Sequence, residues 1–129
     1  MSNDFPLVKI VFSKQAEQDL KKLIKKYPNI IKDLTPVLDR LRTGETPGDR
    51  IPGIEYVVYK ERIRNQDARK GQSGGYRLVY YLRTISKVIV ITIYSKSQVI
   101  DISPTEVRRI IEDILAAEAD NQADDNDAG

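Results

Sequence analysis

The apolar period of this chain switches from helical to two near residue 55, and that switch limits the folds open to it. Up to about residue 42 the apolar residues recur at helical spacing, first Leu20, Leu23, Ile24 and Tyr27, then Ile30, Ile31, Leu34, Val37, Leu38 and Leu41. Residues 43–53, TGETPGDRIPG, hold three glycines and two prolines and read as a loop. From about Glu55 the period is two, which predicts strands over Glu55–Arg64, Gly75–Arg83 and Lys87–Ser95. The links between them, 66–74 and 84–86, are short enough for an antiparallel meander. Leu7–Phe12 predicts one further strand ahead of the helices, and Ser13 is placed to cap the first of these. The second helix is expected over Asn29–Leu41, with a kink or break near residues 32–35 because of Pro36. A last helix starts at Ser103–Pro104, with Glu106 at the third helical position and an apolar stripe of Val107, Ile110, Ile111, Ile114 and Leu115. The expected fold is α+β in the order βααβββα. A small, mostly antiparallel sheet carries a two-helix N-terminal hairpin on one face, and a C-terminal helix follows. With the helices on one face, the other is expected to stay partly open.

At 129 residues the chain is long enough for one domain, expected over 1–118, followed by an acidic, disordered tail over 119–129. It has no cysteine and no histidine. Disulfides, thiolate zinc sites and imidazole acid–base chemistry are therefore excluded. The first residues, MSNDFPLVK, lack an apolar signal core and no run approaches membrane-spanning length, so a cytoplasmic protein with no membrane partner is expected. The net charge of +2 conceals an asymmetry. Residues 1–110 hold all 21 bases and 12 acids, whereas residues 111–129 hold seven acids and no base. A domain so positive attracts polyanions.

The positive charge is concentrated in KERIRNQDARKGQSGGYR, residues 60–77, which has six bases and two acids. Lys60, Arg62 and Arg64 alternate, so in a strand they share a face, with Tyr59 and Ile63 on the other. Three cations on one sheet face need solvent or an anion opposite them. The glycine-rich stretch ARKGQSGG is not a phosphate-binding P-loop, since it lacks the Gly-Lys-Ser/Thr ending and leads into a strand. In that strand Tyr76, Leu78 and Tyr80 are expected in the core, and Tyr81 on the face of Arg77.

Taken in order, LVKIVFSKQAEQDLKKL, YKERIR, GQSGGYRLVYYL, the apolar strand ending IYSKSQ, and DISPTEVRRIIEDIL resemble the RelE/ParE superfamily of bacterial toxins from type II toxin–antitoxin systems. The match looks closest to the RelE- and HigB-like ribosome-dependent mRNA interferases and covers about residues 7–115. The resemblance implies a toxin that enters the A site of the 70S ribosome. There it cuts mRNA by attack of a ribose 2′-oxygen on the adjacent phosphorus, with no metal or other cofactor. It also implies a cognate antitoxin as partner. Carried onto this chain, the catalytic positions are Lys60, Arg62, Arg77, Tyr94 and Lys96. Arg64, Arg69, Lys70, Gln72 and Tyr81 become the RNA contacts.

The chemistry suits these residue types. Arg77 offers a two-pronged clamp for non-bridging phosphate oxygens, with Arg62 as a second point of contact. Lys60 is the candidate general base, with Glu61 and Glu55 as the other bases in reach of this segment. Tyr94 stacks on a base, orients the 2′-hydroxyl, or is a half-buried sheet tyrosine, and Lys96 assists the leaving oxygen. Related ribosome-dependent toxins often use a histidine near the scissile phosphate, and this chain has none. The superfamily also contains ParE-like members that inhibit DNA gyrase and are not nucleases. An inactive relative kept as a binding subunit is the third possibility.

Overall fold

A computed structural model describes residues 7–67, 75–99 and 101–127. Its elements are β1 (Lys9–Phe12), α1 (Lys14–Lys26), α2 (Ile30–Arg42), β2 (Asp49–Arg50), β3 (Val58–Ile63), β4 (Tyr76–Thr84), β5 (Lys87–Ser95) and α3 (Pro104–Asp127). The five strands form one sheet in the order β1-β5-β4-β3-β2. All neighbours are antiparallel except β1 and β5, which run parallel. The mixed α+β architecture expected from the sequence is present, with the α1/α2 hairpin and the C-terminal helix.

Local chemistry explains the helix starts. Ser13 Oγ accepts from the Ala16 N–H at 3.0 Å and donates to the Ile91 carbonyl at 2.9 Å, which caps α1 and ties it to the sheet. Ser103 Oγ accepts from the Glu106 N–H at 3.1 Å and starts α3 as expected. Pro36 does not break α2, which is continuous from Ile30 to Arg42. The hydroxyl of Thr35 donates to the Ile31 carbonyl at 2.7 Å, one turn back and next to the carbonyl that Pro36 leaves without a donor.

Four other expectations are corrected. The 43–53 loop contains β2, a two-residue edge strand paired to Lys60 and Tyr59. The strand expected from Glu55 begins only at Val58, because residues 51–57 turn back beneath α3, where Ile51, Ile54 and Tyr56 pack. The helices are not confined to one face. Ala16, Leu23, Ile30, Leu34 and Leu41 of α1 and α2 close over Ile63, Tyr76, Leu78, Tyr80, Val90 and Ile93. Val107, Ile110 and Ile111 of α3 close over Val58, Val79, Tyr81, Ile89 and Ile91 on the opposite face. An amphipathic stripe states that a helix buries one side, not which side of a sheet it finds. Helix α3 also continues beyond residue 118 to Asp127.

Strand β5 carries a bulge near its middle. Val79 pairs with Thr92, but Tyr80 pairs with Val90, so β5 has an extra residue opposite β4. The bulge shifts the alternation of β5: Ile91 packs under α3, Ile93 under α1 and α2, and Tyr94 again on the α3 side. Asp19 of α1 braces this point. Its Oδ2 accepts from Thr92 Oγ1 at 2.6 Å and from the Ile93 N–H at 3.3 Å.

Candidate nucleic-acid interface

Cross-strand register brings three of the expected catalytic residues into one row. Arg62 of β3 lies opposite Arg77 of β4, and Arg77 lies opposite Tyr94 of β5. Lys60 is two residues along β3, on the same face, opposite Val79. Helix α3 covers the other end of this face, so the row sits just beyond the helix start. Arg77 is only 7% exposed, and its Nη1 donates to the Tyr76 carbonyl at 3.1 Å. Arg62 is exposed, and among the described residues its guanidinium has no ion-pair partner. Arg64 follows the end of β3 and is exposed. Lys96 follows β5, half-buried, and its N–H donates to the Gly75 carbonyl at 2.9 Å, closing the β4/β5 end beside the row.

Tyr94 is 7% exposed, and its hydroxyl donates to Asp101 Oδ1 at 3.1 Å. Burial, with the Asp101 carboxylate adding to it and Arg77 opposing, pushes its phenol up to about 12. It is therefore a hydrogen-bond donor across the neutral range, not a base. Asp101 also accepts from Lys60 Nζ at 2.8 Å and from the Ile102 N–H at 2.9 Å. Lys60 is the first cause of the lowering of the Asp101 carboxyl below its ordinary value, and the Ile102 N–H and the Tyr94 hydroxyl act in the same direction.

The remaining expected residues are placed differently. Tyr81 shares the face of Arg77 but is 6% exposed under α3, in edge contact with Tyr56 at 5.5 Å between ring centres. No RNA base reaches that ring while α3 is seated. Glu61 points to the α2 side, 3.8 Å from Arg40. Glu55 pairs with Arg108 of α3 at 3.2 Å. Neither carboxylate faces the row. Arg69, Lys70 and Gln72 lie outside the described residues.

Sequence reasoning missed Asp101, which is bound to Lys60 across 41 residues of chain. It also missed a cleft of about 240 Å³ between α1 and the end of β5, where Lys22 and Lys26 border Tyr94. The helical spacing of the α1 lysines was visible, but their proximity to Tyr94 depends on how α1 lies across β5. A larger groove of about 600 Å³ lies between β1 and α3, away from the row, lined by apolar side chains such as Phe12, Ile89 and Ile114 and by charged ones such as Lys14, Arg109 and Asp113. No cluster of three or more potential metal-ligating side chains occurs among the described residues.

A five-stranded sheet between a helical hairpin and a C-terminal helix, with a basic row at one end, has the build of a small RelE/ParE-like toxin. Residues 10–100 match the family model of the ParE toxin of the type II toxin–antitoxin system parDE, and the chain belongs to that family. A type II toxin acts opposite a cognate antitoxin, which is this chain's expected class of partner. No curated protein and no solved structure matches the chain significantly.

Proposed function

We propose that this toxin is a metal-independent endoribonuclease acting on mRNA in the ribosomal A site, with the Arg62–Arg77–Tyr94 row as the phosphate site. One observation carries the reading: two arginines stand directly opposite each other on neighbouring strands. Like charges so placed destabilise a sheet, and a phosphate between them reverses the sign of the interaction. In the proposed reaction the ribose 2′-oxygen bonds to the adjacent phosphorus as the bond to the 5′-oxygen breaks. The 2′ proton is lost, a proton is delivered to the 5′-oxygen, and the products are a 2′,3′-cyclic phosphate and a 5′-hydroxyl. Arg77 and Arg62 bind the non-bridging oxygens as charge builds on them. Tyr94 donates to the same phosphate or to the 2′-oxygen, and Lys96 serves the leaving side. Lys60 accepts the 2′ proton, a role open to Nζ only when it is not donating to Asp101.

A second reading, inhibition of DNA gyrase without RNA cleavage, is favoured by the parDE description of the matching family. It gains weight from the lack of histidine and from the engagement of Lys60 with Asp101. Brief induction followed by mapping of RNA ends separates the two. The nuclease reading expects new 5′-hydroxyl ends at codon-fixed positions on translated messages, absent with Arg77→Ala. Growth arrest with unchanged RNA ends and loss of supercoiling would establish the second reading in its place.

A further inference from the structure

Three donors converge on a single oxygen at the edge of the basic row: Lys60 Nζ at 2.8 Å, the Tyr94 hydroxyl at 3.1 Å and the Ile102 N–H at 2.9 Å, all on Asp101 Oδ1. A cation, a neutral hydroxyl and a backbone amide around one acceptor form an anion subsite. Its present occupant belongs to the chain itself. Asp101 lies in the 101–103 lead into α3, and its side chain is about half exposed, 54%, against 29% for Lys60. This ion pair is therefore weak and easily exchanged. Tyr94 pairs with Arg77 across the strands, so the subsite adjoins the Arg62–Arg77 pair.

We propose that this subsite is a second phosphate-binding position for single-stranded RNA, and that Asp101 occupies it as an internal competitor until a phosphodiester displaces it. The proposal rests on the reading of the row as a phosphate site. It assigns to the Lys60 end a phosphate next to the one held by Arg62 and Arg77. Lys60 Nζ then donates to the bound phosphate as it does to Asp101, and it can accept the 2′ proton only while donating to neither.

The test is binding of a short RNA carrying 2′-O-methyl groups throughout, which cannot be cleaved, followed by fluorescence anisotropy at several salt concentrations. Asp101→Asn keeps a side-chain oxygen for the Ile102 N–H while removing the competing charge. It is expected to bind about fivefold more tightly than the parent, the scale of one exposed ion pair released. Lys60→Gln, made in the Asp101→Asn background, should abolish that gain. Unchanged or weaker binding by Asp101→Asn, with the parent's melting temperature, overturns the proposal. So does a gain that survives Lys60→Gln, since it would then be general electrostatics. If Asp101→Asn melts well below the parent, Asp101→Ser takes its place under the same criteria. Failure of the nuclease reading is seen separately, as absence of RNA cleavage by the parent on ribosomes, whichever way Asp101→Asn changes binding.

Discussion

On the proposed reading, Arg77 serves both the sheet and the phosphate site. It is buried like a core residue yet carries a charge that a core does not need. On the proposed nuclease reading, Arg77→Lys keeps the charge and loses the fork, and should lower cleavage about 100-fold or more with little change in fold, as for loss of one donor to a developing oxyanion. A primer-extension time course on translating ribosomes measures this. Asp101 gives a pH signature of known sign. Its folded carboxyl lies below the ordinary value of 3.8, so its contribution to holding the 101–103 lead is present above that value. The contribution disappears as pH falls through the lower folded value. The expected result, followed by carboxyl chemical shifts, is a midpoint for Asp101 below 3.8 that moves upward in Lys60→Gln.

Elements were legible where a local rule decides them and obscure where distant contacts do. The strand Lys87–Ser95 matches its sequence expectation residue for residue, as nine largely apolar residues bounded by polar turns must. The alternation of Lys60 and Arg62 also holds. The row itself was not legible, because strict alternation puts Tyr94 with Val88 and Val90, on the face away from Arg77. The bulge at Ile91 reverses this, and its brace is Asp19, 74 residues from Ile93. Asp19→Ala leaves the Thr92 hydroxyl and the Ile93 N–H without that acceptor. A loss of about 1–3 kcal/mol is expected by urea denaturation, together, on the proposed reading, with weaker RNA binding as Tyr94 loses its aim. The β2–β3 edge offers a second check. Gly44 and Gly48 both have positive φ, 93° and 97°, but a Cβ on Gly44 meets nothing within 4 Å. A Cβ on Gly48 would fall 2.9 Å from Glu61 Cα, against the backbone of β3. Gly48→Ala should therefore cost about 1–3 kcal/mol more than Gly44→Ala in the same denaturation assay.

For the whole molecule, fold class and basic character followed from period and composition, whereas the double covering of the sheet did not. The stripe of α3 required a partner face, and only the packing of residues 51–57 beneath it shows which face that is. Charge asymmetry is the global property with a direct test. Glu118 is tied to Arg83 at 3.2 Å and Lys87 at 3.7 Å, so a cut after residue 119 spares the contacts that seat α3. Removing 120–129 should raise affinity for single-stranded RNA at low salt and leave it nearly unchanged at 0.5 M salt, as titrations at both would show. The parallel seat of β1 on β5 has a consequence of another kind. Strand β1 is synthesised well before the strand it pairs with; Ser13 finds Ile91 across 78 residues. At translation speeds of about 5–20 residues per second, roughly 4–16 s pass between them. The Arg62–Arg77–Tyr94 row is likewise incomplete until β5 emerges. Neither the seated sheet nor the assembled row exists in the growing chain before then.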